Sequence, residues 1–314
     1  MIEVKNLTKN YGDTKAVDDI TFTVPTGQVL GFLGPNGAGK TTTVRIITCY
    51  MPPTSGSVTV DGLDVIEQSL EVRRKIGYLP ESAPLYPEME VIEYLDFIWA
   101  LRGGEKSQRG RRIKQVVEVC GLGDVIAKNV DELSKGYRQR LGLAQAMIHN
   151  PEILVLDEPT VGLDPNQIVE IRNLIKTLGR EKTVILCTHI LSEVEATCDN
   201  VIIIDNGSIV ANGTPEMLQG SFAGKAIINL EINQSPDTVR PILGEIPGID
   251  EVKAIAGNGT ARCQIICAKS ADPREAIFNT AVANQWVLLE MKREVSSLED
   301  VFRQLTKGGG GVDA

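Results

Sequence analysis

No stretch of this chain reaches the ~18–20 consecutive apolar residues that a membrane-spanning helix needs. The longest apolar runs, such as Ile153–Leu156 and Val201–Ile204, have the length of strands. The opening segment Met1–Lys9 lacks the basic start and apolar middle of a secretory signal and alternates like a strand. These absences exclude a membrane channel and predict a protein that works in the cytosol. The six cysteines (Cys49, Cys120, Cys187, Cys198, Cys263 and Cys267) include no CxxC pair, so they read as reduced, mostly buried thiols rather than metal ligands. Basic residues are in deficit: 32 Lys and Arg stand against 41 Asp and Glu, for a net charge of −9. That balance suits a nucleic-acid backbone poorly, and no nucleic-acid partner is expected. The one basic cluster, Arg109 to Lys114, predicts a solvated helix face. No internal repeat is evident.

What is present has the balance of a soluble globular protein, 42% hydrophobic and 23% charged over 314 residues, enough for one large domain or two ordinary ones. Strand signals open the chain at Ile2–Val4, Ile20–Val24 and Val29–Leu33. A helix is predicted over Thr42–Cys49, stopped by Met51-Pro52-Pro53, and short strands over Val58–Val60 and Ile76–Leu79. From about Pro84 to Leu133 the pattern becomes helical. Val91, Leu95, Ile98 and Trp99 fall on one face, as do Ile113, Val116, Val117 and Cys120. Helix and strand then alternate: Tyr137–His149, Ile153–Leu156, Asn166–Leu178, Thr183–Cys187, Leu191–Ala196 and Val201–Asp205. Such alternation predicts a mainly parallel sheet with helices on its faces. A boundary is expected near Gly220–Gly224. Beyond it the order is strand (Ala226–Ile232), helix (Thr238–Gly244), two strands (Ile249–Ile255, Ala261–Cys267), helix (Pro273–Ala283) and strand (Trp286–Met291). This predicts a small ferredoxin-like α+β module. A last helix, Ser297–Leu305, precedes a flexible tail containing Gly308–Gly311.

The chemistry concentrates in three places. Gly34-Pro35-Asn36-Gly37-Ala38-Gly39-Lys40-Thr41-Thr42 follows a strand and opens a helix, the P-loop pattern. A triphosphate is a dense anion, and glycines let backbone N–H groups turn in and close upon it. The helix start adds partial positive charge. Lys40 supplies a full charge to the β- and γ-phosphates, and the Thr41 hydroxyl is placed to coordinate Mg²⁺, so ATP and Mg²⁺ are the expected ligands. Asp157 and Glu158 emerge at the end of an apolar strand, where open parallel sheets bind ligands. Asp157 fits an acid that holds Mg²⁺, directly or through water. Glu158 fits a group that orients the attacking water. Third, Leu133-Ser134-Lys135-Gly136-Tyr137-Arg138-Gln139-Arg140 opens a helix that Ser134 is suited to cap.

That last run resembles the signature sequence of ABC ATPases, and it stands 23 positions before Asp157 as it does in the family. Other family motifs occur in order over roughly residues 2–220. Tyr11 resembles the aromatic residue that stacks on adenine. Gly162-Leu163-Asp164-Pro165 resembles the D-loop. His189, after Thr188, resembles the switch histidine that contacts the γ-phosphate. One motif departs from the usual pattern. Where most members have glutamine after the strand Ile76–Leu79 and Pro80, this chain has Glu81, an altered Mg²⁺-facing residue or a surface acid.

The resemblance implies the P-loop NTPase ABC ATPase fold: a mainly parallel core sheet, an antiparallel β part, a helical subdomain about 84–135, and the ferredoxin-like module over 225–306. It implies ATP hydrolysis coupled to transport. Two copies would stack head to tail, so that Ser134 and Gly136 serve the partner's nucleotide. Separate integral-membrane permease subunits would dock near Leu85-Tyr86-Pro87-Glu88-Met89, and the protein would sit peripherally on the inner face of the cell membrane. Within the family the sequence is similar to the ABC-2 exporter type. It is particularly similar to the gliding-motility-associated ATPase, through Gly31–Lys40, Ile47–Pro53, Tyr78–Glu81 with Pro84–Tyr86, and Ser297–Phe302. Two other readings stay open: a soluble ABC ATPase acting on ribosomes or DNA, and a non-hydrolysing regulatory subunit. The former usually carries two cassettes or a long coiled coil, and neither is here. The latter is disfavoured by the presence of Lys40, Asp157, Glu158 and His189.

Overall fold

Alternating apolar residues in the first sixty positions build an antiparallel layer, and the apolar runs that follow build a parallel one. The computed structural model describes residues 1–222, 226–257, 260–268, 271–294 and 298–306. The chain divides into two units, Met1–Pro215 with Leu305 and Thr306, and Glu216–Gln304.

In the first unit, β1 (Ile2–Tyr11) and β2 (Thr14–Val24) form a long irregular hairpin. After β3 (Val29–Leu33) and α1 (Lys40–Ile47) comes β4 (Ser55–Val60), which pairs antiparallel with β1, and then β5 (Leu63–Asp64). The sheet order is β2-β1-β4-β5. The second sheet gathers β3, β6 (Ile76–Leu79), β7 (Ile153–Asp157), β8 (Thr183–Thr188), β9 (Asn200–Asp205) and β10 (Ser208–Gly213) in the order β10-β9-β3-β8-β7-β6. All its pairings are parallel except β9 with β10. Every residue of β3, β7 and β8 is buried, as expected of strands covered on both faces. One core cluster joins the two sheets, with Phe22 and Phe32 ring centroids 5.6 Å apart.

The helices are α2 (Ser69–Lys75), α3 (Val91–Leu101), α4 (Arg109–Cys120), α5 (Lys135–Met147), α6 (Pro165–Gly179), α7 (Leu191–Thr197) and α8 (Pro215–Phe222). Neither α2 nor β10 is among the predicted elements. In α2 only Val72 is buried, so no apolar stripe marks it. β10 follows Asn206-Gly207, whose positive φ values of 47° and 80° make the two-residue turn favoured in hairpins. Three helices of this unit begin earlier than predicted, α6 by one residue and α1 and α5 by two. α1 starts at Lys40 because Gly39, at φ 107°, sets its cap, and it stops before Cys49, at φ 60°. α5 starts at Lys135 because the Ser134 hydroxyl accepts the Tyr137 N–H at 3.4 Å. The basic cluster in α4 is more than a solvated face. Arg112 donates to the carbonyls of Met147 and Ile148 at 2.5 and 2.7 Å, satisfying the end of α5.

In the second unit β11 (Ala226–Ile232), α9 (Pro236–Gly244), β12 (Ile249–Ala256), β13 (Ala261–Cys267), α10 (Arg274–Ala283) and β14 (Leu288–Glu294) form an antiparallel sheet of order β12-β13-β11-β14. This is the ferredoxin-like order, with a core of its own. β14 begins two residues later than predicted, because the Trp286 N–H still bonds the Ala281 carbonyl and Gln285 turns at φ 58°. The last helix is α11 (Leu298–Thr306). Gly224, Ser297 and the Gly308–Gly311 tail lie outside the described residues; α8 continues through Gly220.

β6 and α5 meet at Gly77, where a Cβ would overlap the Ala146 carbonyl oxygen and stand 2.9 Å from Leu154 Cδ2. Gly77→Ala should therefore lower stability by about 1–3 kcal/mol through overpacking. Gly110→Ala, in α4 with nothing near the added methyl, should raise it by about 0.5–1 kcal/mol. Thermal denaturation of the two variants checks both signs.

Candidate active site

The loop after β3 is shaped by close backbone contacts. A Cβ at Gly34 would overlap the Ile204 carbonyl, and one at Gly39 would stand 2.5 Å from the Ala16 carbonyl. Only glycine allows β2 and β9 to approach so closely. The turn after β9 braces the loop from outside: the Gly207 N–H donates to the Ala38 carbonyl at 3.0 Å, and the Gly207 carbonyl accepts the Asp18 N–H at 2.8 Å. Lys40, the first residue of α1, is 5% exposed. Its Nζ donates to the carbonyls of Gly34 at 2.7 Å and Pro35 at 3.1 Å, and lies 3.9 Å from Glu158 Oε1.

β7 delivers the acids. Asp157 is fully buried; its Oδ1 accepts the Thr41 hydroxyl at 3.4 Å, and its Oδ2 has no hydrogen-bond partner among the described residues. Burial pushes its carboxyl up to about 6; the nearby charges of Glu158 and Glu81 act in the same direction, and the Thr41 bond and Lys40 oppose it. Glu158 sits at φ 51°, a strained conformation for a residue with a side chain, and its N–H donates to the Cys187 carbonyl at 2.9 Å. Both of its carboxylate oxygens lie 2.9 Å from His189 Nδ1. The result is a cleft of about 420 Å³ lined by Asn36, Gly37, Gly39, Lys40, Thr41, Thr42, Glu81, Glu158, Val161 and His189.

The cleft thus brings together Lys40, Thr41, Glu81, Glu158 and His189, with Asp157 directly behind Thr41. Gly34, Pro35 and Ala38 belong to the loop that forms the cleft but, like Asp157, are not in its lining; three other predicted residues, Tyr11, Ser134 and Gly136, are not in it either. Tyr11 ends β1, 46% exposed, with its hydroxyl on Met51 Sδ at 3.0 Å. Ser134 caps α5, and Gly136 packs so closely on the Gln167 amide that a Cβ would stand 2.6 Å from it. Sequence reasoning overlooked Val161 in the wall, and also Thr160, Thr188 and Glu193 behind it. The hydroxyls of Thr160 and Thr188 both donate to the Glu193 carboxylate. Glu193 and Glu195 look alike in sequence, and only the fold shows that Glu193 is buried.

Residues 17–161 match the family model described as ABC transporter. The chain is 35% identical over 309 residues to the "Uncharacterized ABC transporter ATP-binding protein YhcH" of Bacillus subtilis, covering 98% of this chain and 96% of that one. It is 31% identical to the "Linearmycin resistance ATP-binding protein LnrL" of the same organism, covering 98% of each. Among solved structures, a dimeric ATP-binding cassette in a post-hydrolysis state bound to ADP and Pi is similar, with a TM-score of 0.63 and 26% identity over 68% of this chain and 98% of that one.

The raised Asp157 carboxyl has a consequence for stability. The folded state keeps a proton that the unfolded state has released, so stability falls as pH rises from the ordinary carboxylate range, near 3.8, through about 6. The full penalty above that window is on the order of 1–3 kcal/mol. Asp157→Asn should flatten the fall and stabilise the nucleotide-free protein at pH 8. Urea denaturation of both proteins between pH 4.5 and 8 measures the difference.

Proposed function

The chain belongs to the ABC transporter ATP-binding family, and from that membership we propose that it hydrolyses ATP to power export through separate membrane permease subunits. The observation that carries the reading is the position of Glu158. Its carboxylate faces the P-loop cleft, 3.9 Å from Lys40 Nζ and 2.9 Å from His189 Nδ1. A buried carboxylate so held can accept a proton from a water aligned on the γ-phosphorus, while the bond to the bridging oxygen breaks and ADP leaves. Lys40 and the N–H groups of the loop hold the phosphates in place, and His189 contacts the γ-phosphate from the cleft wall.

The residues present fit a divalent cation. Asp157 keeps a buried Oδ2 without a hydrogen-bond partner, and the Thr41 hydroxyl lies beside its Oδ1. Thr41 and Asp157 would hold Mg²⁺, with Glu81 as a further acid at the cleft; bound there, Mg²⁺ would neutralise phosphate charge. Tyr11 would meet the base. The hairpin geometry supports this, because Tyr11 pairs with Thr14, two residues before the Ala16 carbonyl that abuts Gly39.

Within one chain Ser134 and Gly136 lie outside the cleft, so their proposed service is to the nucleotide of a second copy in a head-to-tail dimer. No helix among the described residues is long and apolar enough to cross a membrane. A separate permease is the proposed partner, and the exposed rings of Tyr86 and Phe97, edge to face at 5.4 Å, support a contact next to Leu85–Met89. Such a contact would hold the protein peripherally at the inner face of the membrane. The relative named for linearmycin resistance supports the ABC-2 exporter reading. The gliding-motility assignment rests on the sequence runs alone. The Glu216–Gln304 unit is proposed as an accessory module that tunes assembly.

Two substitutions test the site. Lys40→Ala removes the only full positive charge of the cradle, and fluorescence titration should show ATP affinity falling at least about 100-fold, as loss of a charged hydrogen-bonding group predicts. Native affinity in that variant would refute the P-loop assignment. Glu158→Gln is close in shape yet is a far weaker base. It should bind ATP normally and lose about 100-fold or more in turnover, with an ATP-trapped dimer visible by size-exclusion chromatography. A monomer hydrolysing at the native rate would refute the role of Glu158.

A further inference from the structure

Glu193 is a carboxylate of α7 that the proposed chemistry does not use, and it is 2% exposed. A buried acid is expensive to hold unless its oxygens are satisfied. Here each oxygen receives one hydroxyl: Oε1 that of Thr160, and Oε2 that of Thr188 at 2.9 Å. The Thr188 oxygen in turn accepts the Ile190 N–H at 3.0 Å, so the turn on both sides of His189 is held. The two threonines are not equivalent points of the fold. Thr160 lies two residues after Glu158, beyond β7. Thr188 ends β8 and directly precedes His189. A single carboxylate therefore clamps, from behind the cleft, the two backbone segments that carry Glu158 and His189. Its own helix is fixed to the sheet, because Val194 packs so tightly on β3 that a Cβ at Gly31 would stand 3.0 Å from it.

We infer that Glu193 is a positioning residue for the Glu158–His189 pair, setting their separation through Thr160 and Thr188. The inference rests on the hydrolytic reading given above. A clamp of this kind should act on turnover more than on nucleotide binding. Lys40 and the P-loop N–H groups are set by contacts with Ala16, Ile204 and Gly207, none of which involves Glu193. Its loss frees the water-orienting acid to drift, and a misplacement on the order of 1 Å at a reacting group can reduce the rate about 100-fold.

The test uses the full chain, with ATP titration and steady-state ATPase kinetics in Mg²⁺ buffer. Glu193→Gln replaces one acceptor oxygen by a donor. The amide keeps a single acceptor oxygen, so only one of the two threonine hydroxyls can still donate to it and the clamp holds one segment instead of two. The expected result is a kcat about 10–100-fold lower with the ATP dissociation constant within about twofold of native. Thr188→Val should reproduce that loss, and Thr188→Ser, which keeps the hydroxyl, should restore native kcat. The Glu193→Gln/Thr188→Val double variant should lose no more than the worse single. Unchanged kcat in Glu193→Gln, equal losses in kcat and affinity, or a Thr188→Ser as poor as Thr188→Val would overturn the inference. If Glu193→Gln does not fold, the Thr188 pair decides the matter alone. Native protein that binds ATP without hydrolysing it would remove the hydrolytic reading itself, an outcome distinct from an active native protein with indifferent variants.

Discussion

A full positive charge held out of water organises the first unit. Lys40 is 5% exposed, and an ammonium so placed is tolerable only if its protons meet oxygens. The carbonyls of Gly34 and Pro35 supply two, and Glu158 stands near as the counter-charge. Carbonyls five and six residues upstream can reach that point only if the chain doubles back between β3 and α1. The doubling back brings Gly34 against the Ile204 carbonyl and Gly39 against that of Ala16, so β9 and β2 must lie where they do. Gly207, joined to both Ala38 and Asp18, closes the ring of contacts. The ammonium's environment is thus settled by three strands and a hairpin turn, and an arriving phosphate meets a charge that is already aimed.

The two acids at the end of β7 show how neighbouring residues of the same chemistry are given different work. Asp157 continues the strand, buried between sheet and α1, with burial raising its carboxyl to about 6. Its Oδ1 accepts the Thr41 hydroxyl and its buried Oδ2 has no hydrogen-bond partner among the described residues, which suits the metal role proposed for it. Glu158 leaves the strand through a left-handed turn, which swings its side chain out to the cleft and to His189. The strain of that turn, of order 1–3 kcal/mol, is sustained by the Cys187 carbonyl bond. One residue of chain thus separates the proposed metal acid from the proposed water-orienting acid, and the change in backbone handedness is what lets them diverge.

Much of this was legible in the sequence because the central strands are covered on both faces. Ile153–Leu156 and Val201–Ile204 are apolar without interruption, and the loop, the acid pair and Ser134 stand at strand or helix ends, where their positions can be read. The ferredoxin-like order was legible too, because strands such as Ala261–Cys267 alternate cleanly between buried and open faces. What was not legible depended on contacts distant in sequence. β10 lies at a sheet edge with no fully buried residue, although Asn206-Gly207 announces its turn. Arg112 read as solvated charge because nothing in its own helix says that the end of α5 lies within its reach. Glu193 was invisible for the same reason: its two hydroxyl partners are 33 and five residues away in the chain.

The placement of Ser134 and Gly136 bears on how many copies the chemistry needs. In one chain the Ser134 hydroxyl caps α5, and Gly136 is pressed against the Gln167 amide of α6. Lys135 between them lies over Gly162, so closely that a Cβ there would collide with its ammonium. The signature run is thereby joined to the segment between Glu158 and α6, which begins at the Asp164 cap, where Oδ1 accepts the N–H groups of Asn166 and Gln167 at 3.0 Å. These contacts make the run a rigid extension of its own chain's acid strand and hold it out of its own cleft. If its glycine and serine serve a phosphate, as the family resemblance implies, that phosphate belongs to another copy. A displacement of Glu158 on hydrolysis would then pass along Thr160–Gly162 to the signature of the same chain and so to the partner's nucleotide. Under the proposed dimer, the same short segment that Glu193 anchors would couple the two sites.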